Sequence, residues 1–453
     1  MIEKIFRSYD IRGAYPNEVN ENIAYIVGHY FGDLCKGQKI IIGFDGRLSS
    51  GALFEALIQA ITEAGAIPVS LGLVPTPVLY FANSIFSPAA AIMITASHNP
   101  KEDNGFKMIL SGESFFGEKI SGLKKFAANF HRAYHPFKYL DIENIDISED
   151  YIKRILQDIK INSKLKIAWD IGNGAAGDVV SKLVQSMPNN NIVINAEIDG
   201  NFPVHSPDPM EESNLDMLLE TIKENQCDLG IAFDGDADRV VFITSQGDIL
   251  YGDQTVLLFA EDVLRSNSGA TIIVEVKSSQ VLLGHIEKCG GKVLMCKTGH
   301  SIIKTTMKKT GALLAGELSG HMFFADKYFG YDDAIYAALR MIDLLSRNET
   351  SLDILYSQIP KLFTTPEIKI SIPDDKKFQI IEDIKQHLRG MGREFIDIDG
   401  IRYSDGDSWW LVRASNTEPS ITLRLEAALK ENLYIIKSDL KDILSAHGIN
   451  VDF

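Results

Sequence analysis

The chain has 453 residues, 45% of them hydrophobic and 23% charged, with 45 Lys and Arg against 61 Asp and Glu. That length exceeds one compact core and predicts about three or four domains, and the composition excludes a disordered chain. A formal charge of −16 excludes a general nucleic-acid binder, which needs a basic face to displace counterions.

The N-terminus, Met1 to Arg7, lacks the apolar core of a secretion signal. Phe6-Arg7-Ser8-Tyr9-Asp10-Ile11-Arg12-Gly13 predicts a docked strand, which accounts for its apolar residues but leaves Arg12 unexplained. Lys39 to Arg47 reads as a β-branched strand with a Gly/Asp turn, followed by a helix over Leu53–Ala64. Ala89–Ile94 is the longest apolar stretch, far short of the ~20 residues a spanning helix needs, so no membrane partner is expected. Leu165–Asp170 repeats the strand pattern before the glycine-rich turn 171–177, and Ala270–Val276 repeats it before a helix over Ser279–Lys288. Unalternated apolar runs between helices predict strands covered on both faces, hence α/β layers with mostly parallel pairing. Three such units, a weak internal repeat, occupy the first 360 residues. The remainder changes grammar. Strands over Glu367–Ile372, Ser408–Val412 and Ile421–Glu426, with helices over Phe378–Leu388 and Glu431–Leu444, predict a smaller α+β domain. Four cysteines, Cys35, Cys227, Cys289 and Cys296, form no CxxC pair. His285 and His300 lie near the last two, but without close ligand pairs a zinc site is the weaker reading. Thiols in a reducing compartment, the cytoplasm, are the stronger one.

Four segments carry chemistry. Asp234-Gly235-Asp236-Ala237-Asp238-Arg239 lies between the apolar runs Leu229–Phe233 and Val240–Thr244. Carboxylates at alternate positions of such a turn converge and repel unless a hard cation, Mg²⁺ or Ca²⁺, sits among them. The EF-hand reading fails, because Arg239 and Ser245 stand where that loop needs Gly and Glu. A solvated acidic turn is the alternative, disfavoured by the core-like Phe233 and Val240. Thr95-Ala96-Ser97-His98-Asn99-Pro100 follows a strand, where α/β ligand sites lie. Ser97 is a nucleophile or a cap; no Gly-x-Ser-x-Gly surrounds it, and Lys107 is close enough in sequence to fold back on it. In Gly316-Glu317-Leu318-Ser319-Gly320-His321, a carboxylate and a hydroxyl at alternate positions suit neighbouring sugar hydroxyls, and His321 exchanges protons near neutrality or is structural. Arg413-Ala414-Ser415-Asn416-Thr417-Glu418-Pro419 is a donor-rich loop fitted to phosphate, or a polar hairpin turn.

Taken together, these segments resemble the α-D-phosphohexomutase family, most closely its bacterial phosphomannomutase/phosphoglucomutase branch. The four motifs occur once each and in the family's order along essentially the whole chain. The resemblance implies three similar α/β domains with mixed sheets plus a smaller C-terminal α+β domain around a central cleft, divided as 1–145, 146–248, 249–362 and 363–453. It implies a mutase that interconverts hexose 1-phosphate and 6-phosphate, of mannose or glucose, through a phosphoserine and a hexose 1,6-bisphosphate. Ser97 would carry the phosphoryl group, and Asp234, Asp236 and Asp238 with Ser97 would hold Mg²⁺. Lys107 and His321 match acid or base positions, and Glu317 and Ser319 match residues that bind sugar hydroxyls. Arg413, Ser415, Asn416 and Thr417 match residues that grip the idle phosphate, and Tyr9, Arg12, Arg239, Lys277 and His300 match residues lining the cleft. The implied partner is a phosphosugar, with no nucleic acid and no membrane, on a monomer or small homo-oligomer. Leu318 and Thr298-Gly299-His300 look unlike the phosphoglucosamine mutase branch, which is the alternative within enzymes. A Mg²⁺-dependent phosphatase and a non-catalytic sugar-phosphate binder are the others.

Overall fold

The computed structural model describes residues 2–136, 141–415 and 419–453. Lys39–Phe44, Ile67–Leu73, Ala90–Ile94 and Glu143–Asn144 pair in parallel, and Asp103–Leu110 and Ile11–Ala14 extend the same sheet antiparallel to its edge. In the second sheet Leu229–Phe233, Lys166–Asp170 and Asn190–Ile194 are parallel, and Val240–Thr244 reverses direction beside the first of them. The third repeats the scheme, with Lys292–Cys296, Thr271–Glu275 and Leu314–Gly316 parallel and Met322–Phe324 reversed.

The sheets are therefore mixed, as the family resemblance implies, with a larger antiparallel share than the mostly parallel pairing that the apolar runs suggest. The reason is burial: the reversed strand Val240–Thr244 is buried at all five positions, so it lacks the alternation that marks an antiparallel strand with one wet face. In all three sheets the connection from a parallel strand to its reversed neighbour is one of the chemistry-bearing segments. Those segments thus sit at the carboxyl edges of parallel strands, where α/β ligand sites lie.

A continuous apolar core runs through the first three units, from Val78 and Phe81 through Trp169, Phe233 and Phe242 to Phe259 and Phe324. Its axis is the helix Ala334–Asn348, buried at 13 of its 15 positions and capped by Asp333, whose carboxylate accepts from Tyr336 N. The last unit is an antiparallel sheet of Ile401–Ser404, Ser408–Ala414, Ser420–Ala427, Ile368–Ser371 and Phe363–Thr364. The helices Asp374–Gly390 and Lys430–Ala446 cover one face, packing on Trp410, Val412, Leu423 and Leu425. Among the described residues no helix is long and apolar enough to cross a membrane.

Candidate active site

The strand reversals open onto one cleft of about 1120 Å³ that all four units line. Ser97 lies there, buried and in left-handed backbone with φ 52°, a conformation a non-glycine residue holds only where its surroundings impose it. The imposing groups are visible. Arg47, itself buried and paired with Asp45 at 3.1 Å, donates to the carbonyls of Ser97, Asn99, Pro100 and Asp103 at 2.8, 2.7, 2.5 and 3.0 Å. Arg12 donates to Ala96 O at 3.1 Å and Asn99 Oδ1 at 2.7 Å, which supplies the role the sequence left open. With the loop so held, Ser97 Oγ donates to Asp234 Oδ2 at 2.5 Å and stands 3.3 Å from His98 Nδ1.

Asp234, Asp236 and Asp238 are all buried and offer ligand atoms within 4.8 Å of one another. Burial first, then repulsion from Asp236 and Asp238, pushes the Asp234 carboxyl well above the ordinary carboxylate range. Asp236 accepts from Thr76 Oγ1 at 2.5 Å, and Lys107 Nζ bridges Asp236, at 2.6 Å, and Asp238. Burial opposes the Lys107 charge, but these two carboxylates hold the ammonium above its ordinary value. Even so, Asp236 Oδ1 and Asp238 Oδ1 are buried without a hydrogen-bond partner. Unpaired hard oxygens beside a serine hydroxyl are the donor set of a divalent cation with an open position, so the residues fit a metal. Close approach is built in: a Cβ on Gly235 would lie 2.6 Å from Ser97 O, and one on Gly320 would lie 2.6 Å from Val240 O.

On the facing wall His300 and His321 stack with ring centroids 5.4 Å apart. Asp332 gathers them, lying 3.0 Å from His300 Nδ1, 3.3 Å from His321 Nδ1 and 2.7 Å from Lys304 Nζ. Arg239 Nε donates to His321 Nε2 at 3.0 Å. Burial, then Lys304, pushes His300 down to about 4, whereas Asp238 and Asp332 raise His321 against the effect of burial. Glu317 is buried and accepts from Gly299 N at 2.7 Å; burial, then Glu275, raises its carboxyl. Glu275 accepts from Thr298 Oγ1 and Leu318 N, both at 2.6 Å, and so ties the two loops that present His300 and Ser319. Tyr9 donates to Thr298 O at 2.9 Å.

From the last unit, Arg413 reaches the cleft, held by Asp399 at 3.1 Å, and Ser415 follows it. Lys277 enters between Glu275 and Glu367, at 3.8 and 3.5 Å. Tyr9, Arg12, Ser97, Lys107, Arg239, Lys277, His300, Glu317, Ser319, His321, Arg413 and Ser415 thus share one cleft, with the three aspartates behind Ser97. Asn416 and Thr417 lie outside the described residues. Sequence reasoning missed Arg47, Thr76, Glu275 and Asp332, which act on loops distant in the chain. The one available signal was a charged residue at or just beyond the end of a strand, as at Glu275, which closes Thr271–Glu275, and at Arg47, three residues past Phe44. By contrast, the cysteine–histidine neighbourhood holds no metal-like group among the described residues: His285 lies 3.5 Å from Cys289 Sγ, while His300 turns into the cleft.

Comparison with known proteins agrees with this geometry. Models of phosphoglucomutase/phosphomannomutase alpha/beta/alpha domains I, II and III match residues 3–131, 149–247 and 251–363, and that of the C-terminal domain matches 367–442. A phosphomannomutase/phosphoglucomutase of Pseudomonas putida is 42% identical over 96% of this chain and 94% of its own. A phosphoglucomutase of Neisseria gonorrhoeae is 39% identical over 98% and 97%. The crystal structure of a phosphoglucomutase/phosphomannomutase family protein from Burkholderia thailandensis superposes with a TM-score of 0.91 at 36% identity, covering 100% of this chain and 99% of that one. The chain belongs to the α-D-phosphohexomutase family. Within it, this is an enzyme of the bacterial phosphomannomutase/phosphoglucomutase group, an isomerase-type phosphotransferase acting as a hexose phosphate mutase.

Proposed function

We propose that the protein interconverts the 1- and 6-phosphates of mannose and glucose through a phosphoryl group carried on Ser97 and a bound hexose 1,6-bisphosphate. The observation that carries this reading is Ser97 Oγ, 2.5 Å from Asp234 Oδ2 in a loop where two buried carboxylate oxygens accept no hydrogen bond. Asp234, Asp236 and Asp238, with the Ser97 oxygen, would hold Mg²⁺. When bound, that ion neutralises charge on the transferring group.

The chain's own residues do the rest. A substrate hydroxyl oxygen attacks phosphorus as the bond from phosphorus to Ser97 Oγ breaks. The hydroxyl proton leaves, and Lys107 and His321, on either side of the carboxylates, are the acid and base candidates. Glu317 and Ser319 take the sugar hydroxyls, and Tyr9, Arg12, Arg239, Lys277 and His300 line the path. Arg413, Ser415, Asn416 and Thr417 grip the phosphate not in transfer. After the bisphosphate turns around, its other phosphate returns to Ser97. Burial of the serine limits the water that would otherwise hydrolyse the phosphoenzyme.

We divide the chain at residues 145, 248 and 362, a division supported by the first, third and fourth described sheets each falling inside one segment, while the edge strand Ile249–Leu250 of the second sheet runs two residues past its boundary. We place the enzyme in the cytoplasm as a monomer or small homo-oligomer with no nucleic-acid or membrane partner; its four free thiols fit a reducing compartment. Intact-mass measurement tests the carrier: a fraction heavier by one phosphate, lost in Ser97→Ala, is expected. Side-by-side turnover of glucose, mannose and glucosamine phosphates tests the substrate. Dominant glucosamine activity would overturn the mannose/glucose assignment, and phosphate release without isomer formation would overturn the mutase.

A further inference from the structure

We propose that Arg402 is a positioning residue for Lys277, acting with Arg424 and Glu426 of the same sheet face. The C-terminal domain grips the backbone of the turn that carries Lys277 and so sets where its ammonium stands in the cleft. The proposal rests on the mutase reading above.

The turn joins the strand Thr271–Glu275 to the helix Gln280–Lys288. Three consecutive carbonyls in it are taken by the C-terminal domain. Arg402 Nη1 donates to Val276 O at 2.6 Å and Ser278 O at 2.8 Å, and Arg424 Nη1 donates to Lys277 O at 2.5 Å. The end of the turn is taken too, since Glu426 Oε1 accepts from Ser279 Oγ and Gln280 N, both at 2.9 Å. Trp409 closes the set. Its Nε1 donates to Glu426 Oε1 at 2.7 Å, and the Arg402 guanidinium lies 3.7 Å from its ring centroid.

Strand alternation explains why one sheet supplies all of this. Trp409 stands opposite Glu426 and Leu411 opposite Arg424, while Trp410, Val412, Leu423 and Leu425 point the other way into the domain's own core. Arg413 lies further along the same face and faces the cleft. One rigid face therefore holds the Arg413 side chain and the Lys277 backbone together.

The Lys277 side chain does not place itself. Its Nζ makes only long contacts, 3.8 Å to Glu275 and 3.5 Å to Glu367, whereas its backbone carbonyl is held at 2.5 Å, so the tighter anchor is the backbone. Arg402 is fully buried and outside the cleft lining, so it reaches a bound phosphosugar only through the turn. A planar fork stacked on Trp409 and shared by two carbonyls is not reproduced by lysine.

The test is a double-mutant cycle read as KM and kcat, with thermal unfolding alongside, on the full-length protein and a hexose 1-phosphate. Arg402→Lys is expected to raise KM about tenfold with kcat within about twofold, because a displaced Lys277 weakens ground-state binding. In the Lys277→Ala background the same substitution should leave KM within about twofold of that single variant. Any stability loss should be equal in both backgrounds, so only KM separates positioning from interface support. An equal KM increase in both backgrounds, or none in either, overturns the proposal. Should Arg402→Lys not fold, Glu426→Gln, at the other end of the turn, carries the same cycle with the same two readings. A parent that turns over no hexose phosphate sinks the mutase reading, and the proposal with it, before any variant is compared.

Discussion

Two buried charged clusters border the third domain, and they differ in how completely they are satisfied. Where the C-terminal sheet meets the Lys277 turn, Arg402, Arg424 and Glu426 all find partners in protein. In the Asp234–Asp238 loop, two carboxylate oxygens accept no hydrogen bond despite the nearby lysine, and His321 comes no closer than 3.5 Å to one of them. Burying an unpaired polar atom costs roughly 1–3 kcal/mol, more when it is charged. A cluster whose groups close on one another is completed by folding, whereas one that keeps orphaned oxygens is completed by what it binds.

Five experiments can break or sharpen this contrast. Ser97→Ala should abolish turnover, by about 10⁴-fold or more, with thermal stability near the parent's; residual mutase activity at a tenth of the parent would sever the serine from the aspartates. Asp234→Asn should cut turnover about 10³-fold. In chelator it should also unfold about 1 kcal/mol less readily than the parent, because the carboxyl whose ionisation burial, Asp236 and Asp238 oppose is gone. An Asn variant less stable than the parent under chelation would show that the loop is closed by protein alone. Magnesium returned to the chelated parent should restore turnover.

The satisfied cluster should answer in stability instead. Trp409→Ala removes the ring under Arg402 and the Nε1 donor to Glu426, and denaturant titration should show a loss of about 3–5 kcal/mol. The last test concerns a third kind of buried carboxylate, satisfied by neutral donors. Asp333 accepts from the hydroxyls of Tyr151 and Tyr328 and from Tyr336 N, and burial pushes it up to about 6 from 3.8. A raised carboxyl binds its proton more tightly folded than unfolded. Its contribution is therefore fully present below the unfolded value and lost as pH rises through the folded one. Between pH 4 and 7 the parent should lose about 2 kcal/mol more unfolding free energy than Asp333→Asn. Parallel pH profiles would show that Asp333 titrates as it does unfolded.

The candidate site was legible in the sequence wherever its chemistry is contiguous. The aspartates, the serine loop and Glu317-Leu318-Ser319 each declare themselves within six residues, because a strand reversal must bring its ligands from neighbouring positions. The supports were not legible. Arg47 organises a loop some 50 residues away, and Asp332 gathers side chains from three separate positions, so nothing local marks either. The clasp on Lys277 was hidden for a different reason. Thr422, Arg424 and Glu426 alternate with Ile421, Leu423 and Leu425, the pattern of a strand with one solvated face, yet the polar face is buried under another domain. Direction of strands was hidden likewise: reversed strands covered on both sides carry the apolar runs of parallel ones.

The glycine contacts have a consequence for how such a chain diverges. Gly235 of the second domain packs against the Ser97 carbonyl of the first, and Gly320 of the third packs against Val240 of the second. Similar as the three domains are in topology, they are keyed in series, each loop cut to fit its neighbour's backbone. Recombination between homologues should therefore succeed at crossovers that carry both halves of a contact together. Single-domain grafts should fail at the seams, even where the grafted domain folds well.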